Sequence, residues 1–183
     1  AALAAVLLLA FSAGAVGERL FEPEVTGQIE DGEYNVRVES GDETYYLNLD
    51  ETEAYEEIEE RLGILALRLG YKPKGMELTS VYIDENMSEA QMEFVYNNFM
   101  LRIYENKQIN SAVFDVQIDG EIIDTVKSFS SEKELTIFKI DKNGEGIFYA
   151  TQVEHGNAYY RITSGINLND FEGILQEIFF NNV

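Results

Sequence analysis

Asp141, Asn143, Glu145 and Gly146 stand at positions 1, 3, 5 and 6 of a calcium-loop pattern. There oxygen ligands surround a hard cation and a glycine makes the sharp turn. The bidentate acid that closes such a loop is missing, because the residue at position 12 is the neutral Gln152. The flanks, Leu135–Ile140 and Ile147–Val153, have the composition of strands rather than helices. Asn-Gly between two strands is a strong hairpin signal, so the stretch is expected to be a β-turn and not a metal site.

His155 is the only histidine. A catalytic or metal role would need partners held close to it. It sits in an expected turn, His155-Gly156-Asn157, and an exposed turn histidine is the plainer reading. Paired carboxylates about 5–10 Å apart could serve glycoside hydrolysis. With 34 acids in the chain, such pairs arise on any solvated face and single out no site. There is no G-x-S-x-G nucleophile elbow, no G-x-x-x-x-G-K and no G-x-G-x-x-G. Cysteine is absent, which removes disulfides, thiolate metal sites and a thiol nucleophile. No catalytic residue, metal or cofactor is expected. One basic group stands out: Arg68, Lys72 and Lys74 around Tyr71. These four could dock a partner. They could equally answer the chain's own acids at Glu51–Glu60, and mutual neutralisation favours that internal reading.

The acids set the wider setting. Against 13 bases they give a net charge of −21, and sixteen acids with two bases fall between Glu18 and Glu60. Such a surface repels phosphate backbones, which argues against a nucleic-acid partner. It suits cations or a basic partner instead. Ahead of these acids, the sixteen residues Ala1–Val16 carry no charge, and the sequence begins within that run at Ala1, not Met. A membrane span needs about 20 apolar residues, and a signal-peptide core about 7–15. A truncated span is the first reading for residues 1–17. A signal-peptide remnant with the small-x-small site Ala13-Gly14-Ala15 is the second, and a buried soluble helix the third. The first two place everything from Gly17 on outside a membrane.

The remaining pattern is α+β. Tyr34, Val36 and Val38 alternate with polar residues, and so do Tyr45, Leu47 and Leu49. This predicts an acidic β-meander over residues 18–50, next to an α+β domain over 51–183. Asp50 begins a helix whose apolar stripe is Tyr55, Ile58 and Leu62, with Gly63 as its stop. Leu65, Leu67 and Leu69 then suggest a strand, and Gly70–Met76 a turn. Strands are expected near 78–84, 91–96, 99–105, 112–118, 121–127, 134–140, 147–153 and 157–163. Their short connections force antiparallel pairing. Asn167 caps a last helix with Phe171, Ile174, Leu175, Ile178 and Phe179 on one face. The expected architecture is a multi-stranded, mainly antiparallel curved sheet, with an internal helix and a C-terminal amphipathic helix packed on it.

Three stretches carry a resemblance: "LGYKPKGMELTSVYID", "DGEIIDTV" and "NAYYRITSGINLNDFEGILQEIFF". Together they resemble the bacterial extracytoplasmic family known as domain of unknown function 4367, over Tyr55 to Phe180. The first is similar to its P-x-G turn feeding a strand, the second to a central strand, and the third to its closing strand, polar link and helix. The resemblance implies the outer domain of a single-pass membrane protein, often one with an anti-sigma-factor-like cytoplasmic part. It implies no catalytic residues. The expectation is therefore a non-enzymatic extracytoplasmic sensor or binding domain, held in the cell membrane at its N-terminus, with an unidentified outside ligand or protein as partner. The alternative is a secreted or surface-anchored carrier of an apolar ligand, held between sheet and final helix by some of the 22 Phe and Tyr residues. A glycan-active enzyme ranks last.

Overall fold

A computed structural model describes residues 24–30, 33–107, 118–142 and 146–180. The expectations for residues 1–17, for most of the strand at 112–118 and for Asn143 and Gly144 of the turn Lys142-Asn143-Gly144 lie outside them. Among the described residues, no helix is long and apolar enough to cross a membrane.

Three strands come first: β1 (Glu24–Glu30), β2 (Glu33–Ser40) and β3 (Glu43–Leu47). Helix α1 (Glu51–Leu62) follows, then the short β4 (Arg68–Leu69). Next are β5 (Glu77–Asp84), β6 (Glu89–Tyr96), β7 (Phe99–Lys107), β8 (Glu121–Lys127), β9 (Glu134–Lys142), β10 (Gly146–His155) and β11 (Ala158–Ser164). Helix α2 (Leu168–Gln176) and β12 (Ile178–Phe179) close the chain. Ten strands form one sheet in the order β1-β2-β3-β5-β6-β7-β11-β10-β9-β8, with β12 and β4 as a separate pair. Every neighbouring pair is antiparallel. The fold is α+β, as expected.

Local chemistry explains the elements. Asp50 Oδ1 accepts the N–H groups of Thr52 at 2.8 Å and Glu53 at 3.4 Å, satisfying two donors at the start of α1. Gly63, at φ +62°, ends the helix and donates to the Glu59 carbonyl. Asn97 and Asn98 both take positive φ, 48° and 66°, as a two-residue hairpin turn with right-handed strand twist requires. On the covered face of the sheet, Val81, Ile83, Met92, Phe94, Leu101 and Ile103 meet Ile58 and Leu62 of α1 and Phe171, Ile174 and Leu175 of α2 in one core. Burying each such side chain stabilises the fold by about 1.5–3 kcal/mol.

Four expectations change. The strand proposed through Leu65, Leu67 and Leu69 shrinks to Arg68–Leu69. Ala66 to Leu69 are all buried while Leu65 is exposed, so no period of two survives. The final helix stops at Gln176, because Ile178 and Phe179 pair with Leu69 and Arg68 as β12. The Gly70 N–H donates to the Glu177 carbonyl at 2.8 Å, which fixes that departure. Strand β3 ends at Leu47, and the positive φ of Asn48 (56°) turns the chain before Leu49. Finally, β3 pairs with β5, so the sheet is continuous across the boundary drawn at residue 50. Arg61 binds the two parts: it reaches Glu57 on its own helix at 2.9 Å, Thr44 on β3 at 2.6 Å and Glu85 at 3.1 Å.

Candidate functional site

The basic group resolves into separate roles. Arg68 is buried, with Nη2 3.0 Å from Glu59 Oε1 and its guanidinium 4.7 Å from the centre of the Tyr55 ring. Lys72 is paired with Glu51. These two cations answer the acidic helix face, the internal alternative. Tyr71 is exposed, its ring edge resting where a Gly173 side chain would stand, and Lys74 is exposed in the turn.

Lys142 pairs with Gly146 and Asp141 with Ile147, so Asp141 and Gly146 of the calcium-loop pattern both lie in antiparallel strands, β9 and β10. No group of three or more metal-ligating side chains comes together among the described residues. His155 departs from the exposed-turn reading. It ends β10 and lies flat on Phe180, with ring centroids 4.1 Å apart and planes 2° from parallel. Burial, followed by the charge of Lys133, lowers its pKa from 6.5 and favours the neutral ring.

A concave feature lies elsewhere. The tip of the β6–β7 hairpin, the start of β10 and the β11–α2 link enclose an open cleft of about 270 Å³. Tyr96 and Phe99 form one wall, Ile147 and Tyr149 a second, and Ile166 and Asn167 the third. Each wall is held. The paired αL asparagines fix the hairpin tip. Tyr149 stacks on Phe171 of α2, with centroids 6.0 Å apart. Asn167 is pinned as the N-cap, accepting the Asp170 N–H at 3.0 Å. Gly165 lets the aromatics close in, since a Cβ there would stand 3.2 Å from Phe99 and 3.4 Å from Phe148. Phe99 and Ile147 remain half exposed, at 50% and 45%, and Val95 and Met100 extend the apolar surface beside the hairpin tip. The lining is aromatic and aliphatic with few polar groups, which is the usual make-up of a recognition pocket.

A second unusual group is buried. Glu105 is fully inaccessible on β7, in phase with Leu101 and Ile103. Its Oε1 accepts the Leu67 N–H at 3.1 Å, and its Oε2 is buried with no hydrogen-bond partner among the described residues. Burial pushes its pKa up to about 8, the Leu67 N–H works against that rise, and Glu59 adds to it.

Sequence reasoning missed both features. The cleft joins three turns far apart in the chain, which no local pattern marks. Glu105 did leave a signal, an acid on the apolar phase of a strand.

A sequence profile described as Domain of unknown function (DUF4367) matches residues 66–178. No curated protein and no solved structure matches the chain.

Proposed function

The chain belongs to the DUF4367 family, and on that premise we propose that it is a non-enzymatic extracytoplasmic sensor or binding domain of a single-pass bacterial membrane protein. The cleft between the β6–β7 tip and the β11–α2 link is its recognition site. The observation that carries this reading is three walls, tied by a turn, a ring stack and a helix cap, around an open, mostly apolar space with half-exposed Phe99 at its mouth. Such a site takes a single ring or a branched aliphatic group, as offered by a side chain of a partner. The acidic surface favours a neutral or basic partner. The uncharged run Ala1–Val16 supports the tether. Ligand binding outside would act by shifting an equilibrium that the cytoplasmic part reads, in the manner of an anti-sigma factor.

The carrier reading needs space for a whole apolar molecule. Small-molecule sites usually run from about 300 to 1,000 Å³ and enclose most of their ligand. At about 270 Å³ and open to solvent, this cleft suits a protruding group better. An NMR titration with p-cresol and, separately, decanol distinguishes the two. The sensor reading expects p-cresol to perturb the amides of residues 96–99, 147–149 and 165–167. Stoichiometric, tight binding of decanol alone would favour the carrier.

A further inference from the structure

Glu105 does not serve the cleft, and its surroundings are built around a choice of charge. Groups face it from each packed element. Glu59 and Tyr55 come from α1, Arg68 from β4 and Tyr160 from β11, and on β6 its neighbour is the uncharged Ala90. Arg68 is already engaged by Glu59 through Nη2, while its Nε is buried with no partner among the described residues. Tyr160 donates its hydroxyl proton to the Leu65 carbonyl at 2.5 Å, and Tyr55 donates to Glu51 at 2.7 Å. Among the described residues, the one hydrogen bond of the Glu105 side chain runs to Leu67, in the link from α1 to β4. That link therefore meets the sheet through the Leu67 N–H on Glu105 and the Leu65 carbonyl on Tyr160.

We propose that Glu105 is a proton-operated latch: protonated, it holds the link of residues 63–67 closed on the sheet, and ionised, it releases that link to water. A neutral carboxyl can be buried at modest cost. A carboxylate there would hold the Leu67 N–H more strongly, but that one bond and a share of Arg68 do not offset its lost hydration, so water enters and the link parts from the sheet. Two carboxyls, Glu59 and Glu105, would then share the single guanidinium of Arg68. The elevated pKa of Glu105, about 8, agrees with this geometry. Opening the link would also loosen β4, and with it the partner strand β12 and the end of α2. The latch goes beyond the binding reading and stands or falls without it.

The test follows the backbone amide of Leu67 by heteronuclear NMR from pH 6 to about 9.5. In the natural chain the Leu67 resonance should move with a midpoint near 8, while Ile103 and Ile162 stay in place. In Glu105→Gln, which mimics the protonated acid, Leu67 should stay fixed over the whole range. In Glu59→Gln, which keeps the acceptor oxygen and removes the like charge, the midpoint should fall. The proposal is overturned if Leu67 keeps its position in the folded natural chain, if it moves equally in Glu105→Gln, or if the midpoint ignores Glu59→Gln.

Discussion

His155 and Phe180 lie face to face, 4.1 Å between centroids, and join the end of β10 to the last described residue of the chain. The contact lets a residue beyond β12 cover the core, where Phe180 also meets Tyr160 at 4.9 Å. An aromatic pair of this kind contributes about 0.5–1.5 kcal/mol beyond its buried area. His155→Ala should therefore destabilise the protein by about 1–2 kcal/mol in urea unfolding, and His155→Phe should restore most of that.

The same histidine gives a pH dependence. Its folded pKa lies below the ordinary value of 6.5, so the unfolded chain binds a proton more readily. Its contribution is complete above 6.5 and is lost as pH falls below it. Unfolding midpoints of the natural chain and His155→Phe should diverge below about pH 6.5, with the variant keeping more stability.

Glu105 works in the opposite sense. Its folded pKa is raised, from 4.5 to about 8, so the folded state holds a proton that the unfolded chain releases. Stability is full below about 4.5 and falls as pH rises towards 8. The loss across that window is on the order of a few kcal/mol. Glu105→Gln should gain on the natural chain as pH rises from about 5 to about 8.5. Parallel urea midpoints across that range would contradict the assignment.

Gly70 and Gly41 separate two uses of glycine. A Cβ on Gly70 would stand 2.6 Å from the Glu177 carbonyl oxygen, where the Gly70 N–H is also bonded. Gly41 has φ +61° and open space around it. Gly70→Ala should cost about 1–3 kcal/mol by prying β4 from β12. Gly41→Ala should cost about 1–2 kcal/mol from backbone conformation alone. Hydrogen exchange distinguishes them: only Gly70→Ala should expose the amide of residue 70, which is bonded to the Glu177 carbonyl.

Much of the fold was legible because its signals are local. The Asp50 cap, the Gly63 stop, the Asn167 cap and the strand at 121–127 depend on residues within one turn or one hairpin. The strand order was not legible, since β7 pairs with β11 only after three intervening strands have folded back. Ile178 and Phe179 look helical by period until Leu69 offers them a strand partner. The fate of the basic group was half legible: the acids that hold Arg68 and Lys72 are those of α1. The cleft left no trace in any single segment, because its walls meet only when the β6–β7 tip reaches the β11–α2 link.

The central claim is that this cleft recognises a small apolar group. Titrating p-cresol into the natural chain and into Phe99→Ala, with amide shifts as the readout, tests it most directly. The claim predicts saturable shifts confined to residues 96–99, 147–149 and 165–167, at least tenfold weaker in Phe99→Ala. Shifts that never saturate, that scatter over the surface or that persist unchanged in Phe99→Ala would contradict it.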